Sequence, residues 1–209
     1  MLSSVVGNIL VVASLAVASV TAQTTFQNVT SLMGTWSSGS QNVTTGLEFF
    51  NPITQEFTLP ATAGISYSFT DDGFFEQSKY QFTSNPVTNR CFKASLVWQH
   101  GTYTLHSNGS ITLLPFPADG YVQVLDPCAA QTSSIYHYSE FELIPTWYQF
   151  QDNHPGFMPA GTTAYALQLH QFDGQKMPLM WLRNRPPNML PTKQLFQQVL
   201  NDAGAGTTQ

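Results

Sequence analysis

The sequence predicts an all-β fold of about ten short strands, either an antiparallel closed barrel or a sandwich, followed by a short C-terminal helix. Three observations carry this reading. Two-residue turns flanked by β-forming residues recur at Asp72-Gly73, Asn108-Gly109, Asp119-Gly120 and Asp173-Gly174, and each is a hairpin signal. Apolar residues at helical spacing are almost missing. The 13 Pro and 14 Gly punctuate the 209 residues too often for long helices. Barrels and sandwiches are the two ways such a chain manages its exposed sheet edges.

In chain order, Val5 to Val20 is apolar or small except for Asn8 and ends in Val20-Thr21-Ala22, a small-x-small cleavage pattern. Residues 1–22 therefore read as a signal peptide, since the run is short for a bilayer core of about 30 Å. Residues 23–192 read as a single β domain. Gly34-Thr35-Trp36 precedes the first strand as in a lipocalin-like barrel, with the Trp plugging one end. Ile65 to Thr70 pairs with Phe74 to Phe82. There Phe74, Tyr80 and Phe82 share one parity and Gln77, Lys79 and Gln81 the other, which predicts one wet face. Gly101 to His106 returns as Ser110 to Leu114, and Tyr121 to Leu125 follows the third turn. Ser134 to Ile144 and Trp147 to Gln151 are strands broken at Pro145. Ala164 to Phe172 turns back as Lys176 to Arg183. Residues 193–209 read as a short amphipathic helix capped by Thr192, with a stripe of Leu195, Phe196, Val199 and Leu200, and then a disordered tail.

Composition excludes several functions. Charged residues make up 9% of the chain against about 25% in typical soluble proteins, so its surface is polar but mostly uncharged. Seven cations and a formal charge of -5 leave nothing to neutralise a row of phosphates, which argues against nucleic acid as a partner. No glycine-rich phosphate loop is present, and no cofactor is expected. Sequons at Asn28, Asn42 and Asn108 agree with the leader in placing the chain on the secretory path as a glycoprotein. In that oxidising setting Cys91 and Cys128 are most simply one disulfide. Two buried free thiols would suit a cytosolic chain instead.

Candidate chemistry is sparse. Glu140 and Glu142, two residues apart on a predicted strand, would lie roughly 7 Å apart on one face. That is the spacing a glycosidase needs. A solvated strand face is the commoner use of such a pair. The histidines (His100, His106, His137, His154, His170) form no metal-ligand pattern, and no serine sits in a nucleophile context. Most of the 4 Trp, 8 Tyr and 15 Phe belong to the core. The exceptions are Tyr136-His137-Tyr138 and Trp147-Tyr148, which put rings on both faces of a strand. Tyr136, Tyr138, Trp147 and Tyr148 are therefore candidates for an aromatic binding surface.

Six segments in this order resemble a known family. They are Gly34-Thr35-Trp36, the ten residues from Gly64 to Gly73, Gln99-His100-Gly101-Thr102-Tyr103, Asp126-Pro127-Cys128, Leu167-Gln168-Leu169 with Asp173-Gly174, and Arg185 to Thr192. The chain resembles the fungal endoplasmic-reticulum chaperones named for reversal of TOR lethality, over about residues 34–192. The resemblance implies a nucleotide-independent folding factor for secretory and cell-wall glycoproteins, needed for normal 1,6-β-glucan levels. It implies the two matching cysteines as the disulfide, and it carries over no catalytic residue. Family members are membrane-anchored beyond this region. Here 17 mostly polar residues follow Thr192, which cannot span a bilayer. Two rival readings remain: a carbohydrate-binding module or glucan hydrolase using Glu140 and Glu142, and a subunit that stabilises a membrane synthase.

Overall fold

The computed structural model describes residues 31–85, 87–88, 91–153 and 161–197. The expected leader, Asn28, His154, Val199 and Leu200 lie outside the described residues. Among those described, the strands are β1 (Gly34–Ser38), β2 (Phe50–Asn51), β3 (Glu56–Phe57), β4 (Gly64–Phe69), β5 (Phe74–Thr83) and β6 (Lys93–Leu105). They continue with β7 (Ile111–Leu125), β8 (Ser133–His137), β9 (Glu142–Ile144), β10 (Trp147–Asp152), β11 (Ala164–Leu169) and β12 (Met180–Asn184). No described residue is helical, and no helix among them is long and apolar enough to cross a membrane.

Ten strands form one antiparallel sheet in the order β10-β11-β12-β1-β4-β5-β6-β7-β8, with β9 also paired to β7. β2 and β3 make a separate hairpin. The outer strands β10 and β8 do not pair, so the sheet is open and the sandwich alternative fits where the closed barrel does not. The reason lies in β7. This 15-residue strand uses one edge on β6 and the other on β8 and then β9, leaving no ladder for β10. Trp147 at the start of β10 reaches this region through its side chain, donating its indole N–H to the Gly109 carbonyl at 3.0 Å.

The curled sheet is covered on both faces. Inside the curl, Trp36, Tyr67, Phe69, Phe75, Leu113 and Met180 are fully buried in one cluster. Trp36 donates to the Leu32 carbonyl at 2.8 Å, so its buried indole is hydrogen-bonded within this cluster rather than plugging the end of a closed barrel. On the other face Phe50 stacks on Trp98 at 4.3 Å, with Tyr121, Phe49 and Leu190 completing a second cluster. The expected wet face of β5 is therefore corrected. Glu76, Gln77 and Ser78 are all fully buried, because residues 43–57 cover one face and β9 closes over the other.

Three of the four turn signals make the expected hairpins: Asp72-Gly73 between β4 and β5, Asn108-Gly109 between β6 and β7, and Asp173-Gly174 between β11 and β12. Asp119-Gly120 does not turn. It lies within β7, opposite a register irregularity between Gln99 and Gly101, and Asp119 is fully buried. Gly120 is needed there for close approach, since a Cβ would stand 1.8 Å from the Tyr138 carbonyl oxygen. The predicted strand from Ser134 to Ile144 is split at Tyr138–Phe141 into β8 and β9, both on β7.

The predicted C-terminal helix is also corrected over its described part. Residues 192–197 run as an irregular strap, and Leu195 and Phe196 pack against the second cluster. Asp119 explains this, because its carboxylate accepts the backbone N–H of Leu195 (2.5 Å) and of Phe196 (2.7 Å), groups that a helix would otherwise employ. Cys91 and Cys128 form a disulfide with Cα atoms 5.4 Å apart, joining the β5–β6 and β7–β8 connections.

Candidate binding site

Two buried carboxylates, Glu76 and Asp119, and the half-buried Glu142 organise the polar network, each held by several donors. Glu76 accepts the Gly46 N–H at 2.7 Å, the Trp98 indole at 3.0 Å and the Leu190 N–H at 2.5 Å, tying both covering segments to β5. Burial pushes its carboxyl above the usual range, and these hydrogen bonds oppose the shift. Asp119 accepts the His100 ring at 2.7 Å in addition to the strap amides. Glu142 receives the Tyr67 hydroxyl (2.8 Å), the Gln77 amide (2.6 Å) and the Lys79 ammonium (2.6 Å). Burial, and then Glu142, hold the Tyr67 phenol well above its ordinary value. Tyr138 is pushed up to about 12 by burial and by Glu142 and Glu140.

This arrangement separates the two predicted carboxylates. Glu142 is in β9 with its oxygens engaged, whereas Glu140 is exposed and outside any strand. Its backbone N–H and carbonyl, not its side chain, bond the Gln99 amide. The expected pair on one strand face is thus not formed.

The predicted aromatic residues do not form one patch either. Trp147 is half-buried against the inner cluster. Tyr148 packs on Phe150 and His170, each at 5.8 Å. Strand alternation puts Tyr136 and Tyr138 on one face and His137 on the other, where it meets Tyr121 edge-on at 6.3 Å. Tyr136 is partly exposed and lines a groove of its own, whereas Tyr138 is half-buried near Glu142.

A groove of about 410 Å³ lies between β9 and the β11–β12 hairpin, with the Lys79–Glu142 ion pair among its lining residues. Three large apolar side chains stand exposed around it: Phe141 at 58%, Leu143 at 39% and Phe172 at 79%. Met177 and His170 complete its wall. Sequence reasoning missed these rings. Phe172, directly before the Asp173-Gly174 turn, is the signal that was available, because an aromatic at a hairpin end has no strand neighbour to bury it.

Asn42 and Asn108 are both exposed. The Asn42 amide donates to Ser40 (2.8 Å) and Thr62 (3.0 Å), and the Asn108 side-chain oxygen Oδ1 accepts from the Ser110 N–H and hydroxyl at the hairpin tip.

An all-β scaffold that satisfies its buried carboxylates and leaves apolar side chains exposed around an open groove defines a protein built to bind other molecules. A family model described as "Rot1: Chaperone for protein-folding within the ER, fungal" matches residues 32–205, and the chain belongs to this family of endoplasmic-reticulum chaperones. It is 40% identical over 172 residues to Protein rot1 of Schizosaccharomyces pombe, covering 82% of this chain and 71% of that one. It is 44% identical over 165 residues to Protein ROT1 of Candida glabrata, covering 78% of this chain and 60% of the relative. With Protein rot1 of Aspergillus oryzae it shares 39% over 168 residues, 80% of this chain and 68% of the other. No solved structure matches the chain.

Proposed function

We propose that this chain holds partly folded secretory proteins through the groove between β9 and the β11–β12 hairpin, without nucleotide and without a catalytic step. The observation that carries the reading is the exposure of Phe141, Leu143 and Phe172 around one opening. Apolar segments of a client would cover these side chains and leave again as the client buries them in its own core. Release without a nucleotide cycle calls for affinity near the micromolar range, about -8 kcal/mol, so that dissociation keeps pace with folding. Clients drawn from cell-wall synthesis would connect this holding step to 1,6-β-glucan levels. Glycans on Asn42 and Asn108 would sit on exposed loops, and membrane association would come from segments outside the β domain.

A glucan hydrolase using Glu140 and Glu142 is less favoured, because Glu142 already accepts three donors and Glu140 is not among the residues lining the groove beside it. The test is aggregation of a reduced client monitored by light scattering. Suppression at near-stoichiometric chain, equal with and without ATP, is expected; no suppression at any ratio would remove the proposal.

A further inference from the structure

A second groove, about 480 Å³, opens on a different part of the molecule, between the β2–β3 hairpin and the β7–β8 pair. Its volume falls within the roughly 300–1,000 Å³ of small-ligand sites, but its chemistry differs from that of the apolar groove. Gln55, Gln123 and Gln131 present carboxamides, Ser133 and Ser134 hydroxyls, and the rings are Phe57 and the partly exposed Tyr136. Among the described residues, the single charged one lining the groove is Glu56, and no cation lines it. An anionic ligand therefore finds no counter-charge, and a purely apolar one would desolvate amides and hydroxyls without replacing their hydrogen bonds.

We propose that this groove binds a neutral hexose-containing glycan. Side-chain amides both donate and accept, as vicinal sugar hydroxyls require, while an aromatic face covers the C–H side of a pyranose. Two features hold the site ready. Gln123 is oriented by its hydrogen bond to Ser133 at 2.9 Å, whereas the amides of Gln55 and Gln131 make no hydrogen bond to another described residue and remain free for a ligand. The connection that carries Gln131 is tethered three residues earlier by the Cys91–Cys128 disulfide. Gln55 also occupies the left-handed region at φ 55°, a conformation costly for a residue other than glycine. The chain would then read a client twice, by exposed apolar segments in one groove and by sugar in the other.

Two sources share this chemistry, a mannose-rich glycan carried by a client and a β-linked glucose polymer of the wall. The experiment titrates the full chain, disulfide intact, with a mannose oligosaccharide and separately with a β-1,6-linked glucose oligomer, using calorimetry and ligand-observed NMR. Saturable binding of at least one, with Kd on the order of 0.1–1 mM, is expected, and the probe that binds identifies the source. Tyr136→Ala should weaken it at least about tenfold. Gln55→Gly, which relieves the backbone and keeps the fold, should weaken it several-fold, and Phe172→Ser in the other groove should leave it unchanged. No saturable binding of either probe at about 10 mM, or undiminished binding by both the Tyr136→Ala and Gln55→Gly chains, would overturn the proposal. Client holding is scored separately by light scattering, so the two readings fail independently.

Discussion

Replacing Asp119 by Ala tests whether a carboxylate buried within β7 fastens the C-terminal strap. Asp119 is fully buried and accepts three hydrogen bonds, from His100 at 2.7 Å, Leu195 N–H at 2.5 Å and Phe196 N–H at 2.7 Å. Hydrogen bonds to a charged group contribute about 1.5–3 kcal/mol each. The strap amides regain water if the strap lifts, but His100, itself buried, is left without its partner. Loss of these bonds, offset in part by the strap amides regaining water, costs about 3–5 kcal/mol. For a chain of this size each kcal/mol shifts Tm by about 2–4 °C, so Asp119→Ala should lower Tm by roughly 6–20 °C. Because the strap is peripheral, part of the loss should be local. Amide hydrogen exchange at Leu195 and Phe196 should accelerate more than exchange in β5 or β6. A Tm within about 1 °C of the unmodified chain, with unchanged protection at Leu195 and Phe196, would refute the reasoning.

Other outcomes follow from the same contacts. Since burial raises the Glu76 carboxyl in the folded chain, the stability it contributes is fully present below its unfolded value and declines as pH rises through the folded one. The stability difference between the unmodified chain and Glu76→Gln, measured by urea titration, should therefore shrink as pH increases from the acidic side. Cys91→Ser with Cys128→Ser opens a link across a sequence separation of 37 and should cost about 4 kcal/mol in the chain-entropy model, visible as a lower urea midpoint that reducing agent reproduces in the unmodified chain. Gly120→Ala places a Cβ 1.8 Å from the Tyr138 carbonyl and should cost more than about 3 kcal/mol or prevent folding, scored by circular dichroism and soluble yield.

What the sequence made legible was local. Asp72-Gly73, Asn108-Gly109 and Asp173-Gly174 turn because short polar residues and glycine suit the positive φ of tight hairpins, a preference settled within four residues. Asp119-Gly120 has the same letters for other reasons: the Asp satisfies amides 76 and 77 residues later, and the Gly lets the Tyr138 carbonyl approach. The wet-face reading of β5 failed likewise. Gln77 is paired by Glu142, which arrives from 65 residues away. Alternation separates Tyr136 and Tyr138 from His137, but it gave no means of knowing that Tyr136 lines one groove while Tyr148 packs on His170, a wall residue of the other. Phe141 escaped notice because it lies where one expected strand breaks in two, a break made by the Gln99 side chain bonding both backbone groups of Glu140. Leu195 and Phe196 read correctly as apolar residues of one stripe, and both pack on the second cluster. Their backbone was misassigned because its hydrogen-bond acceptor lies on a distant strand.

The central claim, that exposed rings around the β9 groove hold clients, is tested most directly by measuring the affinity of a fluorescently labelled, reduced client for the chain and for Phe141→Ser with Phe172→Ser. Both rings are surface groups, so Tm should stay nearly constant. Losing two side chains that each bury on binding removes about 3 kcal/mol, and Kd should rise by roughly a hundredfold. An unchanged Kd for a doubly substituted chain of normal Tm would contradict the account.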